Sequence, residues 1–521
     1  MTHWIILLII LPAILAPFIV LAARYHMGIQ RVFSIAGVSA LIAIAASLAW
    51  QASDGTIILY RLGDWAAPFG IVLVGDRLST IMVLLTSVLA LFVLLYAIGS
   101  KWDERGRHFH ALFQFQLMGI MGAFLTGDLF NLFVFFEVLL IASYGLMIHA
   151  GGDARLRAGV QYVLYNLLGS TLFLFALGAI YAETGTLNMA DLADRIALFD
   201  GTETVGIRIA AVLLLLVFAI KAAIAPLHFW LPSSYSEAPA PVAALFAIMT
   251  KVGAYSIIRV YTLAFPPDVD VTAGLHSLWL LPAALLTMVI GAVGVLAAKK
   301  LDRLVAFSVV GSMGMVMVAI AQFTPVSIAA ALYYMMHSTL AAATLFLISD
   351  LVRSSRPHLR LTTELPVSGA ALTAAAFFVG AIAMAGLPPL SGFVGKLLIL
   401  DASYTSPLVV WIWVIVLSAS LVTVVGFARA GSTIFWKAES VEKPEDYAPD
   451  PRPSALSYVA VGGLVSLLIA HTVFAGPMHR LMSDTSAQLF APEPYISTVL
   501  DTPGRLSKPK DASDTAEKKE E

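Results

Sequence analysis

Fourteen long apolar stretches, most of them close to the ~20 residues that carry a helix across a bilayer, leave this chain few folds to choose from. They lie near residues 4–23, 32–50, 78–99, 111–127, 128–148, 160–181, 206–226, 238–262, 277–298, 304–322, 326–349, 368–402, 409–435 and 455–476. Of the 521 residues, 59% are hydrophobic and 12% charged, against about 25% charged in a soluble domain. A water-soluble fold is therefore excluded. The net charge of −2 offers no basic field for nucleic acid. With no cysteine, the chain has no disulfide and no thiolate ligand for zinc or an iron–sulfur cluster. The expected fold class is an all-α polytopic membrane protein of about fourteen transmembrane helices, with the first span retained because no basic segment precedes Trp4.

Orientation follows from lysine and arginine in the loops. Odd-numbered loops carry seventeen of them, including Arg24, Arg31, Lys101, Arg155, Lys299, Arg353 and Lys443. Even-numbered loops and their flanks carry five, Arg61, Arg77, Arg195, Arg208 and Arg259. Odd loops are thus predicted to be cytoplasmic, and both termini to lie outside. The loop at 182–205 is acidic (Glu183, Asp191, Asp194, Asp200, Glu203). From about residue 477 the chain turns polar, ending in Lys508-Pro509-Lys510 and Glu517-Lys518-Lys519-Glu520-Glu521, and residues 477–521 are expected to form a disordered tail.

Two spans contain helix breakers in similar settings. Span seven reads Phe218-Ala219-Ile220-Lys221-Ala222-Ala223-Ile224-Ala225-Pro226, where Pro226 frees the carbonyl of Ala222. Span twelve reads Ala385-Gly386-Leu387-Pro388-Pro389-Leu390-Ser391-Gly392, with Lys396 beyond it. Broken helices at membrane depth survive only inside protein or beside a wet cavity, and a pair of them in two halves points to an inverted repeat around a transport site. Spans 4–8 and 9–13 are the matching five-helix units. The competing reading is two kinked structural helices.

Ionisable residues at depth favour transport. Only Glu137, Lys221, Lys251 and Lys396 among the charged side chains lie well inside the spans, with His337 also near a span centre. Facing lipid, four such charges cost on the order of 10–14 kcal/mol, so they must turn to the bundle interior. A lysine keeps its proton beside a carboxylate and gives it up when the two separate, and histidine titrates nearest neutrality. Glu137 and Lys221 alternatively form a static pair. His228, in Pro226-Leu227-His228-Phe229-Trp230-Leu231-Pro232, is a candidate for admitting protons or for capping the break. No phosphate loop, dinucleotide fingerprint, nucleophile elbow or metal-ligand spacing occurs. No cofactor and no covalent chemistry is expected.

These residues carry a family resemblance. Gly127-Asp128-Leu129-Phe130-Asn131-Leu132-Phe133-Val134-Phe135-Phe136-Glu137 resembles the fifth-helix motif of the antiporter-like membrane subunits. Lys221-Ala222-Ala223 through Glu237-Ala238-Pro239 resembles their seventh-helix signature, Lys251-Val252-Gly253-Ala254-Tyr255 the eighth, and Gly386 through Phe393 the twelfth. The family includes the proton-pumping subunits of respiratory complex I and the large subunits of Mrp-type sodium/proton antiporters, and the wording around Glu137 is similar to the D-type branch of the latter. The long lateral helix and added domains of the A-type branch are not expected here. Two departures stand out: Ala341 follows His337 where some relatives have lysine, and Ser312 stands where several have histidine.

The resemblance implies a proton relay through Glu137, Lys221, Lys251, His337 and Lys396, supported by His228 and Ser312, with helix breaks at Pro226, Pro388 and Pro389. Expected partners are other antiporter subunits in a hetero-oligomeric complex, membrane lipid, and H+ with Na+ or K+ as transported ions. The expected place is the cell inner (plasma) membrane. Expected divisions are 1–110 (peripheral helices), 111–265 (first repeat), 266–440 (second repeat), 441–476 (last helix with its preceding loop) and 477–521 (tail). The alternatives are a proton-pumping subunit of complex I or a membrane-bound hydrogenase, a structural scaffold, and a single-chain antiporter.

Overall fold

The computed structural model describes residues 3–65, 67–198, 205–266, 274, 276–356, 358–442 and 452–502. Apolar runs become helices because a backbone buried in hydrocarbon must satisfy its own amides. The chain opens with α1 (Trp4–Leu21) and α2 (Met27–Ala52). An antiparallel ribbon of β1 (Ile58–Arg61) and β2 (Val72–Gly75) follows, with Ile58 opposite Gly75. This ribbon is the one departure from an all-helical reading among the described residues.

Next come α3 (Arg77–Gly99), α4 (Phe109–Leu125), α5 (Leu129–Met147), α6 (Asp153–Thr184) and the short α7 (Met189–Ala197). The first broken pair is α8 (Val205–Lys221) and α9 (Trp230–Glu237), followed by α10 (Ala240–Leu263), α11 (Leu281–Ala297), α12 (Leu301–Ile320) and α13 (Pro325–Arg353). The second broken pair is α14 (Ala370–Ala385) and α15 (Ser391–Ala402), then α16 (Val409–Gly431) and α17 (Ala455–Val473). Two amphipathic helices close the fold, α18 (Ala475–Leu489) and α19 (Glu493–Asp501). Among the described residues, eleven helices are long and apolar enough to cross a membrane. Each expected span contains a helix; span twelve holds a helix, a break and a second helix, whereas span seven ends inside the first break and α9 lies beyond it.

Starts are fixed by side chains. Asp76 accepts from the Ser79 amide while the Ser79 hydroxyl accepts from the Asp76 amide, both at 2.9 Å, closing a capping box on α3. Thr324 and Ser327 repeat the device on α13. Burial sorts the helices into layers: α10 and α13 are wrapped by protein (100% and 94% of their apolar windows buried), whereas α16 lies on the outside of the chain with 22% buried. Lys251 and His337 sit on those two central helices.

The tail departs from expectation. Residues 477–489 and 493–501, read as disordered, are helical and packed on the body. Met482, Leu489, Tyr495 and Val499 are buried along one side, the Ser486 hydroxyl donates to the Pro325 carbonyl at 2.7 Å, and Arg61 donates to the Val499 carbonyl at 3.1 Å. One apolar stripe on an otherwise polar helix is enough when a neighbouring surface is there to cover it. Lys508-Pro509-Lys510 and the terminal charged run lie outside the described residues, as do Asp200, Glu203 and Lys443.

Candidate functional site

Lys221 is the last residue of α8, where the negative end of the helix dipole favours a cation. The helix stops there: residues 222–229 are non-helical, so the interruption is longer than the proline kink expected at Pro226. Ala223 adopts a left-handed φ of 55°, a conformation that costs a non-glycine residue about 1–2 kcal/mol. The Lys221 ammonium donates to Asn166 Oδ1 at 3.1 Å and sits 5.6 Å over the Phe136 ring. Glu137 accepts from the Ser170 hydroxyl. No ion pair closes between Glu137 and Lys221; instead Asn166 and Ser170, one turn apart on α6, hold the two groups side by side. Lys221 and Asn166 also line a cavity of about 10 Å³ with Tyr162 and Trp230, at the lower limit for one water molecule.

Lys251 is fully buried and its ammonium nitrogen has no hydrogen-bond partner. A buried ammonium without an acceptor is costly. Gly253 brings it to the first break. A Cβ on Gly253 would lie 2.7 Å from the Ala222 nitrogen and 2.8 Å from the Phe218 oxygen, so only glycine lets α10 meet the end of α8 this closely. Two turns along α10, Arg259 pairs with Asp76 at 2.7 Å, both buried. Burial pushes the Asp76 carboxyl up, but Arg259 and the Ser79 amide outweigh it and hold the group below its usual range.

The second break has its own glycine. Gly386 ends α14 at φ 73°, the left-handed cap that glycine adopts without strain. A Cβ there would fall 2.5 Å from Lys396 Cδ. Through that opening Lys396, carried on α15, reaches back and donates to the Ala385 carbonyl at 2.7 Å and to the Ser420 hydroxyl at 2.8 Å. Its ammonium thus rests on the C-terminal end of α14, as Lys221 rests at the end of α8, although one lysine precedes its break and the other follows. His337 Nδ1 lies 2.9 Å from the Ser391 hydroxyl at the start of α15, and its Nε2 is buried without a partner.

Ser312 and Lys396 line one cavity of about 30 Å³ together with Tyr334, Ser420 and Thr423, room for a water molecule. His228 is buried beside Phe229, its Nδ1 unpartnered, and bonds to none of the other candidates. Sequence reading missed the neutral partners. The amide of Ala225 in the first break donates to Thr287 of α11 at 2.8 Å, and the amide of Ser391 after the second donates to Thr472 of α17 at 2.8 Å. Each break is thereby capped from the helix two spans onward. Asn166 and Ser170, polar at four-residue spacing inside an apolar run, were the one legible signal; lone threonines were not.

Comparison with known proteins bears on this arrangement. The family described as NADH:quinone oxidoreductase/Mrp antiporter, transmembrane, matches residues 126–423. The chain is 37% identical over 543 residues to the D-type subunit of the probable K(+)/H(+) antiporter of Rhizobium meliloti, covering 96% of this chain and 99% of that protein. It is 38% identical over 511 residues to the D-type subunit of the Na(+)/H(+) antiporter of Bacillus subtilis, covering 96% and 100%. A chain in the solved Mrp complex from Dietzia sp. superposes with a TM-score of 0.86 at 27% identity, covering 96% of this chain and all of that one.

Proposed function

The chain belongs to the NADH:quinone oxidoreductase/Mrp antiporter family, and from that premise we propose that it is the proton-translocating D-type subunit of a multisubunit monovalent cation/proton antiporter. The observation that carries this reading is the pair of lysines at two helix breaks, with Lys251 and His337 on the fully enclosed helices between them. Protons pass along Glu137, Lys221, Lys251, His337 and Lys396. Approach of the Glu137 carboxylate to Lys221 favours the ammonium, and its withdrawal onto Ser170 releases a proton toward Lys251. His337 links Lys251 to Lys396, and Ser312 with Tyr334 supplies hydroxyls beside the last lysine. His228 admits protons at the first break.

Spans 4–8 and 9–13 act as inverted half-channels, a reading supported by the matching threonine caps on α11 and α17. The protein lies in the cell inner (plasma) membrane with odd loops cytoplasmic and both termini outside. One charge crossing a 100 mV potential is worth about 2.3 kcal/mol, so unequal exchange of protons against Na+ or K+ is driven electrically as well as by concentration. The central positions offer no carboxylate or carbonyl cage of the kind hard cations require, so the cation path is assigned to partner subunits.

The test is cation-dependent proton movement in vesicles holding the assembled complex. Glu137→Ala, Lys221→Ala and Lys396→Ala are each expected to abolish it while the complex still assembles, and Glu137→Asp to weaken it. Full exchange in all three alanine variants refutes the relay.

A further inference from the structure

Away from the lysines, a crevice of about 480 Å³ opens between α2 and α3 on one side and α17 and α18 on the other. Its walls are apolar, among them Leu84, Val88, Leu467 and Leu481, and its floor is Met336 and Leu340 of α13. At the mouth stand Arg77, the first residue of α3, and Trp50 near the end of α2, the latter 82% exposed.

Arg77 is anchored by carbonyls rather than by an ion pair. Its guanidinium donates to the Ser53 carbonyl at 3.2 and 2.9 Å and to the Asp484 carbonyl at 3.1 Å, and it forms no ion pair among the described residues. The exposed Asp54 carboxylate is close enough to interact with Arg77 through space but accepts from the Thr56 amide at 2.9 Å and makes no ion pair with the guanidinium. A fixed cation therefore faces the mouth of an apolar slot.

Depth identifies what fits. From Arg77 to Val88 α3 advances about 16 Å at 1.5 Å per residue, half of a ~30 Å hydrocarbon layer. The slot thus runs from the headgroup level, where tryptophan and arginine anchor, to the middle of the membrane. Water gains little in an apolar cavity; a hydrocarbon chain tied to an anion gains along its whole length. We propose that this crevice binds one phospholipid of that leaflet, its phosphate against Arg77 and one acyl chain laid on Met336 and Leu340. Met336 precedes His337, and the His471 ring in the crevice wall stacks on Tyr333 at 4.3 Å. Hydrocarbon in the slot therefore also keeps water from that flank of α13.

The test uses the full chain co-expressed with its partner subunits and placed in phosphatidylcholine vesicles containing phosphatidylglycerol with a photoreactive acyl chain. Labelling is expected to concentrate on the α3 and α17 crevice walls and to exceed that on the outer helix α16. Arg77→Gln is expected to lower crevice labelling about fivefold, the worth of one basic contact near a charged headgroup, and Arg77→Lys to retain most of it. Leu84→Trp, which fills the slot, is expected to remove labelling while melting temperature and exchange show the protein folded. Labelling no greater than on α16, insensitivity to both Arg77→Gln and Leu84→Trp, or cross-linking of the crevice to a neighbouring protein in place of lipid overturns the proposal.

Discussion

At the level of single residues, charge in this membrane interior is held by neutral groups. Lys221 rests on an asparagine, Glu137 on a serine, and Lys396 on a carbonyl and a serine. Such partners stabilise an ion without locking it into a pair, and a buried pair, once formed, is costly to break. Asn166→Leu removes the acceptor of Lys221; hydrogen bonds to charged groups are worth about 1.5–3 kcal/mol, so proton flux in vesicles is expected to fall about tenfold or more while Ser170→Ala leaves the lysine bonded. A static structural role for Asn166 would instead lower the melting temperature without changing flux per folded complex. At the rim of the membrane the buried Asp76–Arg259 pair carries a pH signature. Because the folded carboxyl lies below its ordinary 3.8, its contribution is present above that value and is lost as pH falls through the folded one. Asp76→Asn is expected to cost about 3–5 kcal/mol at neutral pH by leaving Arg259 buried and unpaired, and the gap in detergent melting temperature from the unmodified protein should narrow below about pH 4.

Among the elements, the broken helices explain the most and were only half legible. Pro226, Pro388, Pro389 and Gly386 announced both interruptions, because proline removes a donor and glycine tolerates a left-handed cap. What the sequence did not disclose is how far the first break extends, since Ala222 and Ala223 are strong helix formers whose unwinding is offset by tertiary contacts. Nor did it reveal the caps, as Thr287 and Thr472 are ordinary residues until a partner's amide points at them. Thr287→Val and Thr472→Val each leave a buried amide unsatisfied, an expected loss of about 1–3 kcal/mol, read as faster hydrogen exchange at Ala225 or Ser391 and reversed by serine. Gly386→Ala drives a methyl into Lys396 and is expected to displace the ammonium from Ala385, lowering exchange more than stability. The helices α18 and α19 escaped notice because their apolar stripes are short and polar residues dominate their composition; only the covering surface makes them helices.

For the molecule as a whole, hydropathy located the apolar helices, eleven of which among the described residues are long and apolar enough to cross a membrane, since the bilayer imposes length and composition together. The family was legible from the motifs around Glu137, Lys221, Lys251 and Gly386, and the matched relatives agree. The mutual placement of the ionisable groups was not legible, because it depends on which face of each helix meets which neighbour. The chain reconstituted alone is expected to show no cation exchange, and exchange is expected to return when its partner subunits are co-expressed. The most direct measurement is cation-triggered collapse of a proton gradient in vesicles containing the assembled complex with Lys221→Ala, Lys251→Met or Lys396→Ala. Loss of the signal in each variant, with assembly and melting temperature preserved, is expected if protons cross through these lysines; undiminished exchange in the three would contradict that route.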